Sequence, residues 1–265
     1  MMVNKKEQYQ KLVEKRQACR CCSDFGLKNG EEILKAKQKK DINEIGQWTA
    51  SYTPTSKGSL NAKIVILGQD WGTIEEYNNF INSGEIGKFP TSEYEFNTSP
   101  TNKNLEIGLK EIDKEVDLKK GNFGECFMTN AILCYKTGKM STKIKDENYR
   151  RCIQKFLYEL LDIIKPEIII VLGKQTFNAV VQCSKGNLVD EGNVYKKSWY
   201  YNRTILHGLK GNFKYCLKEH EILVFPMAHT GALGVLNRNR HQNAREFIKD
   251  WEDLSDYLKD NSILK

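Results

Sequence analysis

Residues 62–72 read AKIVILGQDWG. Within them, Ile64 to Leu67 is an unbroken aliphatic run with no polar alternation. That is the pattern of a short strand buried on both faces, as in a parallel sheet. The run stops at a glycine, and Gly68 and Gly72 bracket Gln69, Asp70 and Trp71 in a loop. Open α/β sheets place their ligands at this carboxyl end of a strand. The loop is therefore read as a site by position, before any chemistry is attached to it.

Three further apolar runs resemble the first. They are Phe127–Leu133 (FMTNAIL), Ile168–Leu172 (IIIVL) closed by Gly173, and Ile222–Phe225 (ILVF), which continues through Pro226 to His229. Stripes at helical spacing lie between and after them: Leu105, Leu109, Ile112 and Val116; then Tyr149, Cys152, Ile153, Phe156, Leu160 and Ile164, ended by Pro166; then Phe177, Val180 and Val181; and last Phe247, Ile248, Trp251, Leu254 and Leu258. Strands separated by helices predict an α/β fold, a three-layer α/β/α sandwich with a central four-stranded parallel sheet. Thr73 to Asn104, rich in Asn, Ser and Thr with Pro90 and Pro100, is expected to be a long polar loop. An amino-terminal segment over 1–46 holds a predicted helix, Lys5–Gln17, and its cysteines. Residues 184–217 form an irregular basic and aromatic insertion. No internal repeat is visible, and one domain over residues 1–265 is expected.

The composition sets looser limits. The chain has 265 residues, 40% of them hydrophobic, with 41 Lys and Arg against 34 Asp and Glu, a net charge of +7 and a pI near 8.8. This mildly basic balance suits a polyanionic partner. No apolar run approaches the roughly 18 residues that span a bilayer, and the amino terminus lacks the apolar core of a signal peptide. The expectation is an intracellular, cytoplasmic protein without membrane attachment, acting as a monomer. Eight cysteines in such a chain are better read as thiols, some of them metal ligands, than as a disulfide framework.

Two constellations carry chemistry. Asp70 follows the first strand, Asn130 lies in the second and His229 follows the fourth, so all three can face one crevice at the carboxyl edge of the sheet. Each alone also suits a structural role: Asp70 as a helix N-cap, Asn130 as a turn residue, His229 as a hydrogen-bonding group. Their shared placement favours a site. The second constellation is Cys19 and Cys22, spaced C-x2-C, with Cys134 just past the second strand and Cys152 on a helix. Four thiolates from three segments can ligate a [4Fe-4S] cluster or an all-cysteine zinc site. Unrelated buried thiols are the alternative, since Cys21, Cys126, Cys183 and Cys216 show cysteine to be common here.

Taken together, these residues resemble the uracil-DNA glycosylase superfamily, and most of all its iron-sulfur branch, over roughly Cys19 to Leu258. GQDWG at Gly68–Gly72 stands where that branch has G-E-x-P-G and the better-known uracil enzymes have G-Q-D-P-Y. Thr129-Asn130-Ala131-Ile132-Leu133-Cys134 matches an Asn followed shortly by a cluster cysteine. The helix at Cys152 leads to Lys165-Pro166 and IIIVLG, and Ala228-His229-Thr230-Gly231 stands where the family has His-Pro-Ser.

The resemblance implies hydrolysis of an N-glycosidic bond in DNA, with a flipped-out base and an oxocarbenium-like transition state. It implies that Asp70 stabilises the sugar cation and orients water, and that His229 stabilises the departing base. Asn130 would read the base edge, Gln69 would help hold it, and Phe96 or Trp71 would stack on it. In the loop after His229, Leu233 or Leu236 would fill the gap left in the duplex, with Arg238 or Arg240 on phosphates. Cys19, Cys22, Cys134 and Cys152 would hold the [4Fe-4S] cluster, with zinc as the alternative.

Departures from the pattern border the base pocket: Trp71 replaces a proline, and Thr230-Gly231 replaces Pro-Ser. The base is accordingly uracil or a modified pyrimidine such as some phages carry, which would make the protein a defence enzyme. A catalytically inactive DNA-binding protein on the same fold, and an unrelated α/β zinc enzyme with a small-molecule substrate, are readings from other classes.

Overall fold

The computed structural model describes residues 4–23, 26–28, 59–82, 99–120, 122–183, 188–190, 193–194, 213–217, 220–239 and 245–263. Asn4 starts helix α1 (Lys5–Gln17) by accepting the backbone N–H of Lys6 at 3.1 Å. The cysteine segment after it leads to the two-residue strand β1 (Leu27–Lys28). The aliphatic run forms β2 (Ile64–Gly68), buried at every position. Then come α2 (Ile74–Asn82), α3 (Pro100–Ile112), β3 (Cys126–Asn130) and the short β4 (Tyr135–Lys136). A long helical stretch comes next, built from α4 (Asp146–Cys152), a π-helical turn (Ile153–Leu157) and α5 (Tyr158–Ile164). It delivers the chain to β5 (Ile168–Leu172) and α6 (Lys174–Cys183). Strands β6 (Leu188–Asp190), β7 (Asn193–Val194), β8 (Phe213–Leu217) and β9 (His220–Met227) precede α7 (Ala232–Asn239) and α8 (Glu246–Asp260).

The strands stand in the order β3-β2-β5-β9-β8-β6-β7, and the first four are parallel. This is the expected α/β sandwich. The two faces of β2 explain its unbroken apolar run. Val65 and Leu67 join Phe127, Ile169 and Val171 in a core closed by Leu12 of α1, Tyr149 of α4, Phe156 and Phe177. Ile64 and Ile66 join Ile168, Ile170 and Phe225 in a second core, closed by Leu105 and Leu109 of α3 and by Phe247, Trp251 and Leu254 of α8. Burying such side chains gains about 1.5–3 kcal/mol each, which commits both faces of the sheet to helices.

Three expectations need correction. The segment Thr73–Asn104 is not one loop. Thr73 Oγ1 accepts the Glu76 N–H at 3.2 Å while Glu76 Oε2 accepts the Thr73 N–H at 2.8 Å, a capping box that starts α2 directly after the GQDWG loop. Ser99 then caps α3, whose first residue is Pro100. Secondly, the strand expected over Phe127–Leu133 ends at Asn130. Thirdly, the 184–217 insertion is not wholly irregular: β6, β7 and β8 extend the sheet antiparallel beyond β9, with Tyr215 of β8 opposite Ile222. The rest of that insertion lies outside the described residues, as do Phe96 and Arg240.

Candidate functional site

Parallel register brings the strand ends level. Gly68 lies opposite Asn130, and the pairing runs on past the strands, with Ala131 N–H donating to Gly68 O and Ile132 N–H to Gln69 O, both at 2.9 Å. Leu172 lies opposite Met227, which sets His229 beside Gly173 on the same edge. Asn130 is 4% exposed, and its Oδ1 occupies the space above Gly68: a Cβ there would come within 2.1 Å of it. The glycine is thus required by the asparagine side chain opposite it.

Asp70 is held from several directions. Its Oδ1 accepts the Gly72 N–H at 2.8 Å, and its Oδ2 accepts Gln69 Nε2 at 2.9 Å. The first bond closes a tight turn through Gly72, whose φ of +95° is one that residues with a side chain rarely adopt. Asp70 therefore does not cap α2; Thr73 does. The Gln69 amide is engaged with the carboxylate. Trp71 is half-buried against the core on the α1 side of the sheet.

The next partner belongs to no sequence motif. Lys136 Nζ lies 3.2 Å from Asp70 Oδ1 and 3.3 Å from Oδ2, in an ion pair whose two side chains are only 4% and 6% exposed. Tyr149 of α4 also feels this carboxylate. Burial first, then the Asp70 charge, raises its phenol above the usual tyrosine range, and its buried hydroxyl finds no hydrogen-bond partner among the described residues.

His229 sits in the fields of both members of that pair. Its Nδ1 accepts the Gly231 N–H at 2.9 Å, so in the neutral ring the proton is on Nε2. Burial lowers its pKa below the ordinary histidine value; Asp70 opposes this and Lys136 adds to it. The loop that carries it is fixed by Asn104 of α3, which donates to Thr230 O at 2.8 Å. Gly234 lets α7 approach closely, since a Cβ there would stand 2.1 Å from His229 O.

Along α7 the expected DNA-contacting residues separate. Leu233 and Leu236 are exposed, at 74% and 47%. Arg238 is not presented to a phosphate. It is buried, pairs with Asp250 of α8 through two bonds of 2.6 and 2.7 Å, and reaches Glu246 at 3.2 Å. The spacing that exposes Leu233 and Leu236 turns Arg238 inward against α8.

The four predicted cysteines come within reach of one another's charges from the segment after α1 (Cys19, Cys22), the residue before β4 (Cys134) and the end of α4 (Cys152). Cys19, Cys22, Cys134 and Cys152 are each 8% exposed. Burial pushes Cys22 up to about 11, with Cys134 and Cys19 adding to the rise. Cys134 is pushed up to about 12 by burial, against the pull of Arg16, with Cys152 and Cys19 adding. Burial likewise lifts Cys152 to about 11, with Cys22 and Cys19 adding. These thiols thus lie within one another's fields. Among the described residues no three or more His, Cys, Asp or Glu side chains are grouped as ligands of a single ion. Two cations stand by: Arg16, buried, donates to Leu133 O at 2.6 Å and lies 4.5 Å over the Phe156 ring, and Lys155 of the π-helical turn lies 3.2 Å from Cys21 Sγ and 3.9 Å from Cys19 Sγ.

The family model of the uracil DNA glycosylase superfamily matches residues 55–255. No curated protein matches the chain. The matched span contains Asp70, Asn130, His229, Cys134 and Cys152, and it begins after Cys19 and Cys22. Among the described residues no helix is long and apolar enough to cross a membrane.

Proposed function

The chain belongs to the uracil DNA glycosylase superfamily, and we propose that it hydrolyses the N-glycosidic bond of a flipped-out pyrimidine in DNA, leaving an abasic site. One observation carries this reading: Asp70, Asn130 and His229 stand together at the carboxyl edge of the parallel sheet, on three strand ends held in register. The net charge of +7 suits a DNA substrate.

Each residue has a role suited to its surroundings. Breaking the bond puts positive charge on the sugar and negative charge on the base. His229, neutral because it is buried, offers its Nε2 proton to the base oxygen on which charge develops. The Asp70 carboxylate faces the sugar and stabilises its cation. Asn130, fixed over Gly68, pairs with the base edge, and that pairing selects among bases. Leu233 at the exposed start of α7 fills the gap in the duplex.

The four cysteines fit an iron-sulfur cluster by their chemistry. These are soft donors held out of solvent, and the Cys22, Cys134 and Cys152 thiols, raised by burial and by neighbouring cysteines, gain from a cation that stabilises their thiolates. When bound, the cluster supplies cross-linking of the amino-terminal segment to β4 and α4. Visible absorption separates it from zinc, which is colourless. Trp71 and Thr230-Gly231, which depart from the family pattern beside Asp70 and His229 in the chain, favour a modified pyrimidine, including those in phage DNA, as a second substrate class beside uracil.

The test is base release from oligonucleotides carrying uracil and from phage DNA carrying modified pyrimidines, with wild type, Asp70→Asn and His229→Ala side by side. Release lost in both variants is expected. Release unchanged in both, or none from any DNA, would leave a DNA-binding protein on this fold.

A further inference from the structure

Lys136 belongs to no motif, yet its place is tightly determined. Its backbone is clamped on two sides. β1 pairs with it through Leu27, and on the other side its N–H donates to Gly72 O at 2.9 Å while it bridges to Thr73. Strand and loop together aim the side chain at Asp70. The ammonium lies 3.2 and 3.3 Å from the two carboxylate oxygens and donates to Met140 O at 2.9 Å. Its three donors are thus all committed.

The carboxylate is committed in turn. Oδ1 receives Gly72 N–H and Lys136, and Oδ2 receives Gln69 and Lys136. A carboxylate has about four acceptor positions, so Asp70 has no freedom to swing. A cation at this distance opposes the field by which Asp70 would stabilise a sugar cation, so extra charge is not what Lys136 contributes. What it contributes is placement, together with a partner for an otherwise unpaired buried anion.

We propose that Lys136 is a positioning residue for base release: anchored on the Met140 carbonyl and on the β1–β4 ribbon, it fixes the orientation of the Asp70 carboxylate toward the sugar. The inference rests on the glycosylase reading. A carboxylate released from such a hold loses about 100-fold in rate through misplacement while substrate binding is kept.

Single-turnover base release from a substrate that wild type cleaves tests this, with K136M, K136Q and K136R and with melting curves for each. K136M is expected to release base about 100-fold more slowly with a half-saturating DNA concentration within about threefold of wild type, and K136R to recover about tenfold of that loss. K136Q, which keeps a donor for the pair, is expected to fold even where K136M does not, and to lie between K136R and K136M in rate. Equal rates in wild type and the folded variants, K136R no faster than K136Q, or a rate loss matched by an equal rise in half-saturation would overturn the inference. A wild type that releases no base from any DNA fails the glycosylase reading itself and takes this inference with it.

Discussion

At the scale of single residues, the site depends on two protonation and packing facts that can be measured. In the proposed reaction base release needs His229 neutral with its proton on Nε2, and burial lowers its pKa from the ordinary 6.5. The midpoint of its protonation therefore lies below 6.5, and the single-turnover rate is expected to fall as pH drops through that lower region, not near neutrality. A rate that falls already between about pH 8 and 7 would contradict this assignment. Stability changes in the same direction: the unfolded state binds the proton at higher pH than the folded one, so His229 makes folding less favourable as pH drops through 6.5. Gly68 offers the second measurement. A Cβ 2.1 Å from Asn130 Oδ1 forces the amide to move, and overpacking of this kind costs about 1–3 kcal/mol. Gly68→Ala is expected to remain folded, with a melting point a few degrees lower by about that energy, while base release falls about 100-fold because the reading amide is displaced. Asp70, Asn130 and His229 are legible in the sequence because each closes an apolar strand, and strand ends meet. Lys136 is not, because its role depends on a β1–β4 pairing of two residues per strand, too short to leave a hydrophobic pattern.

At the scale of elements, α7 divides its faces between solvent, where the proposed substrate contact lies, and core. Leu233 is exposed at the first turn while Arg238 turns inward to Asp250, where burial raises the carboxyl's pKa against the pull of the guanidinium. Leu233→Ala is expected to change stability by no more than about 0.5 kcal/mol and to slow release from duplex DNA more than from single strands, which need no gap filled. Equal slowing on both would remove it as a wedge. Arg238→Met leaves Asp250 as a buried anion without its partner, a loss of about 3–5 kcal/mol. The salt dependence of DNA affinity should stay as in wild type, whereas loss of a phosphate contact would reduce its slope by about one. The basic run Asn237–Arg240 reads as a DNA face in sequence because nothing local shows that Asp250 shares a helix pair with Arg238. The start of α2 is readable: Thr73-Ile74-Glu75-Glu76 is a capping-box pattern, obscured by the Asn-rich polarity of residues 78–104.

At the scale of the whole molecule, the question is how far the cysteine site and the base site depend on each other. The segment that bears Cys19 and Cys22 is bounded by α1 before it and β1 after it, and β1 pairs with Lys136, which meets Asp70. Yet α1 does not rely on a cluster to stay docked. Tyr9, Leu12 and Val13 are buried, Tyr9 meets Phe127 edge to face at 6.3 Å, and Lys5 donates to Ile164 O at 3.1 Å while Arg16 donates to Leu133 O. Burial of three such side chains is worth about 1.5–3 kcal/mol each, more than a fraying segment needs to hold its helix. Loss of the proposed thiol ligands should therefore loosen the chain between α1 and β1 and leave the sheet intact. Cys22→Ala is expected to abolish visible absorption from a cluster and to expose the stretch after Gln17 to limited proteolysis. Base release should stay within about tenfold of wild type, about 1.4 kcal/mol in activation free energy. Proteolysis unchanged, with iron still bound, would remove Cys22 from the ligand set. A loss of release well beyond tenfold, in protein whose melting curve is unchanged, would show that the ribbon transmits the cluster's state to Lys136 and Asp70 and that the cluster does more than hold the chain together.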